Sequence, residues 1–185
     1  KKKTEIIRGS GVDLKSLKFS KIPKKEPTIV MASRIIADKG IFEYIKSIQY
    51  LKKNNFKGIF YLVGDIDYQN PSAIKKLTIN RWHKKKIITY VKHQKNISSF
   101  LKRSTIVVLP SYREGFPKIL MEAAAWGRPV VATNVPGCKD AVIKDITGIL
   151  VPPRNHVLLA KAIKNLCDNR KKLETIGKAA RKHAL

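Results

Sequence analysis

Short apolar runs alternate along the chain with longer segments in which apolar residues recur at helical spacing. The apolar runs predict six strands, over 28–33, 58–64, 86–91, 105–111, 128–133 and 147–153. Helical spacing and helix-boundary residues predict helices over 41–53, 72–85, 96–104, 117–127, 155–168 and 170–184. Continuous apolar strands that alternate with helices are typical of the α/β class. We therefore expect a doubly wound, mostly parallel six-stranded sheet.

Residues 1–27 do not follow this alternation. They contain "GSGVD" (9–13) and the basic, proline-bearing segment "KIPKKEP" (21–27). We interpret 1–27 as an incoming connection rather than core, and 28–185 as one domain. The chain begins at Lys1 rather than at methionine, and no signal peptide is visible. These features indicate a fragment of a longer protein.

Net charge is the feature of the composition that bears most on function, at +26 from 39 Lys and Arg against 13 Asp and Glu. Such a field attracts phosphates, nucleic acid or an acidic membrane surface, and charge alone does not choose among them. Cys138 and Cys167 lack CxxC spacing, so a reduced, cytoplasmic setting is expected. The four histidines form no ligand cluster, which argues against a zinc site. No apolar run is long enough to cross a bilayer.

The turn after the fourth predicted strand carries the most specific chemistry. In "SYREGFPKILMEAAAWG" (111–127), Glu114 and Glu122 stand on either side of a Gly-Phe-Pro turn (115–117). Glycine permits close backbone approach, and proline suits a helix start, where free N–H groups and the dipole attract anions. Ligands of parallel sheets bind at the carboxyl ends of the strands, where this turn lies. A phosphate fits the helix start and a vicinal diol suits a carboxylate, so a nucleotide sugar would satisfy both.

The sequence around this turn resembles a known family. "EGFPKILMEAAAWGRPVVATNVPG" (114–137) resembles the signature of retaining glycosyltransferases of family 4, the glycosyl transferases group 1. The paired glutamates of that family stand eight positions apart, as they do here, since 122 − 114 = 8. The resemblance covers nearly the whole chain and implies the C-terminal, Rossmann-like, donor-binding half of a GT-B fold. Further segments that resemble the same domain are "GSGVD", "ASRIIADKG" (32–40), "YLVGDIDYQNP" (61–71) and "TGILVPP" (147–153).

The resemblance also implies roles for individual residues. Arg34 and Lys39 would bind the donor diphosphate, and Lys39 would stabilise the leaving group. Glu114 would contact hydroxyls of the donor sugar, and Glu122 would bind the ribose hydroxyls. The remaining implied residues act mainly through their backbone: Gly64 at the turn after the second strand, Tyr90, Val91 and Lys92 near the base, and Gly115, Phe116, Pro117, Lys118 and Ile119 at the sugar and phosphate.

The whole enzyme that the resemblance implies transfers a hexose or N-acetylhexosamine from a nucleotide diphosphate, with UDP favoured, and retains the anomeric configuration. The implied acceptor is a glycan or a lipid-linked glycan, in the synthesis of capsule, O-antigen or another surface polysaccharide. The family implies no cofactor and no metal, and a cytoplasmic location that includes the inner face of the plasma membrane. By this resemblance we expect the N-terminal, acceptor-binding domain of the GT-B fold to be absent from this chain. We therefore expect the chain alone to bind nucleotide but to turn over little or nothing.

Two alternatives stay open at this point. Asp65 and Asp67 form a DxD pair, which can hold a divalent metal on a nucleotide diphosphate in the other major glycosyltransferase fold. The second alternative is a basic anion-binding module for nucleic acid or an acidic membrane surface. No reading helix or exposed aromatic pattern favours nucleic acid, so no nucleic-acid partner is expected. Membrane attraction through "KIPKK" (21–25) and "HKKK" (83–86) is compatible with the enzyme interpretation.

Overall fold

The computed structural model describes residues 11–185, so Gly9 and Ser10 of "GSGVD" lie outside the described residues. The strands are β1 (Thr28–Ala32), β2 (Ile59–Val63), β3 (Thr89–Val91), β4 (Ile106–Leu109), β5 (Val130–Thr133) and β6 (Gly148–Val151). The α-helices are α1 (Ile41–Lys53), α2 (Lys76–Lys84), α3 (Ser98–Arg103), α4 (Lys118–Ala125), α5 (Pro136–Ala141), α6 (His156–Asp168) and α7 (Arg170–Ala184). Among the helices of this described part, none has both the length and the apolar character needed to cross a membrane.

The six strands form one all-parallel sheet in the order β3-β2-β1-β4-β5-β6. The direction of winding reverses between β1 and β4, which are neighbours in the sheet. The place between these two strands is the switch point of the sheet. The loops after these two strands therefore meet at the carboxyl edge, the position at which doubly wound sheets bind their ligands. This topology confirms the predicted Rossmann-like α/β fold, and each strand lies within its predicted segment.

Alternate residues of the strands enter two hydrophobic cores, one on each face of the sheet. In β4, Ile106 and Val108 belong to the core beneath α1 and α6. Val107 and Leu109 belong to the core beneath α4. All four side chains are buried, so both faces of the strand are covered and its sequence is continuously apolar.

Two elements differ from the sequence prediction. α2 begins at Lys76 rather than at 72, because the residues before it pair with the β1–α1 loop. Ser72 O accepts the N–H of Ala37 at 2.8 Å, and Ala73 forms an isolated bridge with Ile36. α5 follows β5 where only a turn was expected, because its six residues are too few to show an apolar period.

The connection before β1 is fixed to the domain by arginine side chains. Ile22, within it, is 5% exposed and belongs to the core beneath α1 and α6. The sequence interpretation of this segment as a connection did not include that core residue, since a single isoleucine between polar residues gives no pattern. The backbone carbonyls of the connection accept hydrogen bonds from three arginines: Leu17 O from Arg181 at 2.7 Å, Lys21 O from Arg128 at 3.4 Å and Ile22 O from Arg170 at 2.6 Å.

Candidate active site

The loops after β1 and β4 touch at the carboxyl edge of the sheet. Gly40 has φ +72°, and a Cβ on it would stand 2.0 Å from the carbonyl oxygen of Pro110. The N–H of Tyr112 donates to Asp38 O at 2.8 Å. No side chain fits between the two backbones at Gly40, so the positions of the residues on the two loops are set relative to each other.

Lys39 and Glu114 form an ion pair where these loops meet. Lys39 Nζ lies 2.7 Å from Glu114 Oε1, and the two side chains are only 17% and 10% exposed. A pair so shielded from solvent is held firmly, because either charge alone would be poorly solvated. The structure therefore brings into direct contact the residues that the resemblance assigned to the leaving diphosphate and the donor sugar.

Arg34 and Asp67 form a second, more open ion pair beside the first. Arg34 Nη1 lies 2.8 Å from Asp67 Oδ2, and the arginine side chain is 62% exposed. The β1–α1 loop is also tied to the loop after β2, where Asp65 O accepts the N–H of Ile35 at 2.8 Å. Since exposed ion pairs contribute little free energy, the guanidinium can exchange Asp67 for a phosphate at small cost.

The N-terminus of α4 lies next to the turn between the two glutamates. α4 begins at Lys118, directly after Pro117, which has extended backbone, and no side chain caps the helix. Its first N–H groups therefore retain hydrogen-bonding capacity for an anion. A Cβ placed on Gly115 would have no atom within 4 Å, so the turn borders open space. Phe116, between them, packs against the core beneath α4 and fixes the turn to the domain.

A cleft of about 540 Å³ runs along the same edge of the sheet. Its walls include Arg34, Lys118, Ile119 and Glu122. The Glu122 side chain is 19% exposed, and its Oε1 lies 3.8 Å from Lys118 Nζ. Burial raises the pKa of the Glu122 carboxyl above its ordinary value, and the charge of Lys118 opposes part of that rise.

Gly64 shapes the wall of the cleft opposite α4. Its φ is +149°, and a Cβ on it would stand 1.9 Å from Ser33 O, so the position requires glycine. Its N–H donates to Val91 O at 3.0 Å, and its carbonyl accepts the hydroxyl of Tyr90 at 3.0 Å. The segment 90–92, which the resemblance implies to meet the base, is thus tied to the turn at Gly64. The residues after that segment, 93–95, line the cleft.

The structure places the sequence-predicted site residues in three neighbouring groups. Val91 ends β3, and Lys92 follows it before the cleft-lining part of that loop. The cleft wall contains Arg34, Gly64, Lys118, Ile119 and Glu122. The place where the loops after β1 and β4 meet contains Lys39, Glu114, Gly115, Phe116 and Pro117.

Gly137 was not among the sequence-predicted site residues, yet it shapes the turn that holds Glu114. A Cβ on Gly137 would stand 2.0 Å from Gly115 O and 2.5 Å from Glu114 O. The missing side chain therefore lets α5 pack directly against this turn. The available signal is Pro136 before it, which marks a helix start, but nothing local shows which backbone the helix meets.

Tyr112 is a second residue that sequence reasoning missed. Its hydroxyl donates to Glu43 Oε2 at 2.8 Å, and the guanidinium of Arg154 lies 4.7 Å from the ring centroid. Burial and the bond to Glu43 raise the pKa of Tyr112 to about 12, so the hydroxyl keeps its proton. Tyr112 thus connects the loop of Glu114 to α1 and to the loop after β6. These partners are remote in sequence, so no spacing indicates them.

The two aspartates of the DxD pair are engaged by protein groups. Asp67 bonds Arg34, and Asp65 Oδ1 accepts the N–H of His93 at 3.1 Å. From residue 11 to the end of the chain, no group of three or more His, Cys, Asp or Glu is arranged to hold a metal ion. Both aspartates of the pair thus have protein partners in this structure.

This fold and this arrangement at the switch point define a glycosyltransferase domain of the GT-B class. The chain belongs to the family of glycosyl transferases group 1, whose model matches residues 13–183. The predicted membership in the glycosyl transferases group 1 is thereby confirmed, over almost the whole of the described chain.

Curated relatives and a solved structure agree with this assignment. The chain is 30% identical over 168 residues to the capsular polysaccharide biosynthesis glycosyltransferase CapM of Staphylococcus aureus, covering 89% of this chain and 43% of CapM. It is 32% identical over 161 residues to the N,N'-diacetylbacillosaminyl-diphospho-undecaprenol alpha-1,3-N-acetylgalactosaminyltransferase of Campylobacter jejuni, covering 87% and 41%. Sucrose-phosphate synthase of Thermosynechococcus elongatus superposes with a TM-score of 0.81 at 27% identity, over 94% of this chain and 46% of that one. The chain spans about two fifths of the length of the curated relatives it matches.

Proposed function

We propose that this chain is the donor-binding domain of a retaining glycosyltransferase that uses a nucleotide diphosphate hexose or N-acetylhexosamine, with UDP as the favoured nucleotide. The observation that carries the proposal is the convergence of two cations, two glutamates and an uncapped helix N-terminus at the switch point of the sheet. A nucleotide sugar offers a diphosphate to the cations and the helix, and hydroxyl groups to the carboxylates.

Binding of the diphosphate would exchange the carboxylate partner of Arg34 and would use Lys39 where it already lies. Arg34 is exposed and releases Asp67 easily, whereas Lys39 is held in place by Glu114. When the bond between the anomeric carbon and the diphosphate oxygen breaks, negative charge grows on that oxygen. Lys39, Arg34 and the N-terminus of α4 are already positioned to stabilise it, so the proposed reaction needs no metal or other cofactor.

The two glutamates would position the donor rather than act as a nucleophile and acid pair. Glu122 lies in the cleft and would accept hydrogen bonds from the ribose hydroxyls. Glu114 lies beside the open space at Gly115 and would accept them from the donor sugar. Because Glu114 also holds Lys39, it couples the sugar position to the position of the leaving group.

The acceptor would be a glycan or a lipid-linked glycan, bound by a second, N-terminal domain. CapM is named for capsular polysaccharide synthesis, and the Campylobacter relative for transfer to a sugar on diphospho-undecaprenol. With such an acceptor, the enzyme would act in the cytoplasm, peripherally at the inner face of the plasma membrane. The present chain spans only part of these relatives, so by itself it would bind nucleotide with little or no turnover.

Alanine substitutions of the two glutamates test the proposed division of roles. Glu122→Ala should weaken binding of UDP about tenfold to a hundredfold, since hydrogen bonds to a charged acceptor are lost. Glu114→Ala should leave UDP binding closer to that of the parent chain and lower the affinity for the UDP sugar. Calorimetry at near-physiological salt with UDP, GDP and ADP would measure both the effect and the nucleotide preference.

One set of binding results would contradict this proposal. All three nucleotides would bind equally and with strong salt dependence, and neither glutamate would matter. The positive field alone would then attract them, and the basic anion-binding module would become the better description.

The raised pKa of Glu122 predicts an unusual pH dependence of nucleotide binding. A carboxyl accepts two hydroxyl donors best when it is ionised, and here the ionised form is disfavoured by burial. UDP affinity should therefore fall as pH decreases through the raised pKa, beginning at a higher pH than an exposed glutamate would give. Calorimetry on the parent chain and on Glu122→Gln over the same pH series separates this effect from titration of UDP itself. Identical pH profiles for the two proteins would refute the assignment.

A further inference from the structure

Exposed cations are concentrated at the amino edge of the sheet, opposite the candidate active site. They stand directly before four strands that are neighbours in the order β3-β2-β1-β4. Adjacent strands are about 4.8 Å apart, so the groups form one continuous band. Glu26 is the single acidic residue within the segments that precede these strands, 24–27, 57–58, 84–88 and 102–105. The amino-edge band consists of Lys24, Lys25, Lys57, Lys84, Lys85, Lys86, Lys102 and Arg103, all of them exposed.

Three depressions along this edge show that the cations are close in space. A depression of about 570 Å³ and one of about 310 Å³ share Ile59, and the second shares Lys25 with a third of about 540 Å³. Ile59 is 39% exposed, so an apolar contact point lies between the charges. Lys52, Lys84 and Lys86 line the first depression, and Lys25 and Arg103 line the second. The third is lined by Lys24, Lys25 and Arg170, and also by Glu174, which forms an ion pair with Arg170.

Helix dipoles explain only part of this concentration. α1, α2 and α3 end at this edge, and cations in the last turn of a helix are favourable there. However, α4 also ends at this edge, before β5, and it has no cation in its last turn. Lys24, Lys25 and Lys57 belong to no helix. The band is therefore confined to one half of the edge, beyond what local helix chemistry requires.

We propose that the amino-edge band binds the headgroups of acidic membrane lipids and holds this domain on an anionic membrane surface. The proposal rests on the proposed function, in which the acceptor is lipid-linked. A sheet edge presents its cations side by side in a broad strip, with depressions that suit phosphate headgroups and with Ile59 exposed between them. Tyr61 and Phe100 line one depression, but both are only partly exposed and Arg103 lies over the Phe100 ring, so neither ring is open for the base stacking that single-stranded nucleic acid favours.

The location of the band separates lipid binding from donor binding. The candidate active site lies at the carboxyl ends of β1 and β4, whereas the band lies at the amino ends of the same strands. The two ligands should therefore bind independently, and saturating UDP should leave the affinity for vesicles unchanged. Substitutions in the band should likewise leave UDP binding unchanged.

A matched pair of fourfold variants tests the band. The band variant replaces one cation before each of the four strands: Lys25→Gln, Lys57→Gln, Lys85→Gln and Lys102→Gln. The control variant replaces four exposed lysines on other helices: Lys46→Gln, Lys139→Gln, Lys161→Gln and Lys182→Gln. Both variants change the net charge equally, from +26 to 26 − 4 = +22. Co-sedimentation with phosphatidylglycerol-containing vesicles at near-physiological salt, against pure phosphatidylcholine vesicles, gives the affinity.

The band variant should lose affinity for the acidic vesicles at least about tenfold, since each cation near such a surface adds appreciable attraction. The control variant should lose much less, and none of the proteins should bind the neutral vesicles. Equal losses in the two variants would overturn the proposal, because net charge alone would then suffice. Tighter binding of duplex DNA than of vesicles, lost in the band variant, would overturn it in favour of a nucleic-acid surface. Absence of UDP binding in the parent chain, with vesicle binding lost only in the band variant, would refute the donor-site proposal and leave the band standing.

Discussion

Lys39→Ala should lower kcat of the intact enzyme about 10²- to 10³-fold, the range seen when a preorganised group that stabilises transition-state charge is removed. Lys39 is the less exposed of the two cations assigned to the diphosphate, Arg34 and Lys39, and is held at 2.7 Å by Glu114. Its ammonium is therefore fixed in place before charge develops on the leaving diphosphate. KM for the donor should change less, because Arg34 and the N-terminus of α4 remain to bind the phosphates. Steady-state kinetics with the donor varied measures both quantities.

Three companion measurements separate catalysis from structure. Lys46→Ala removes an exposed lysine of α1 and should leave kcat unchanged. Glu114→Gln removes the charge partner but keeps the ammonium, so it should lower kcat less than Lys39→Ala does. A chelator should have no effect on the parent enzyme. If Lys39→Ala raised KM and left kcat intact, Lys39 would contribute only ground-state binding.

The fold was largely predictable because both faces of the sheet are covered. Strands buried on two sides must be apolar throughout, so runs such as 105–111 are conspicuous in the sequence. The start of α2 and the presence of α5 were not predictable from local pattern. The first depends on pairing of Ala73 with the β1–α1 loop, and the second is a six-residue helix without periodicity.

The candidate site was predictable only as far as local chemistry and family resemblance extend. Glu114, Glu122 and the helix start between them stand in one short segment, so spacing alone brings them together. The carboxylate partners of the cations depend on tertiary contacts, and no spacing shows that Lys39 meets Glu114 or that Arg34 meets Asp67. The DxD pair illustrates this limit, because its second carboxylate bonds a cation of the same site.

Once the fold is known, cations of this strongly basic chain can be assigned to two separate regions of the domain. Arg34, Lys39 and Lys118 lie at the candidate active site, and each of these cations is paired with a carboxylate. The amino-edge band, by contrast, has one acidic residue within its segments, Glu26, and one at its border, Glu174, and it lies at the other end of the strands. Net charge therefore gives little information on the donor site, because the amino-edge band is remote from that site.

Gly115→Ala should reduce affinity for the UDP sugar at least about tenfold while the free energy of unfolding changes by less than about 0.5 kcal/mol, as for other surface substitutions. A Cβ at Gly115 meets no atom within 4 Å, and its backbone is not in the left-handed region, so the folded protein accepts alanine. The methyl group would instead occupy the open space that the proposal assigns to the donor sugar. Calorimetry with UDP and with a UDP sugar, beside urea denaturation, measures the three quantities.

Gly137→Ala, the matched substitution in α5, should lower both stability and binding. Its Cβ would stand 2.0 Å from Gly115 O, and a backbone atom cannot rotate away as a side chain can. The turn between the two glutamates must therefore shift, at a cost of about 1–3 kcal/mol typical of overpacking. UDP and the UDP sugar should both bind more weakly, because the start of α4 moves with that turn. If Gly115→Ala bound the UDP sugar as well as the parent chain does, the space beside Gly115 would not be the sugar site. The role of Glu114 would then be limited to holding Lys39.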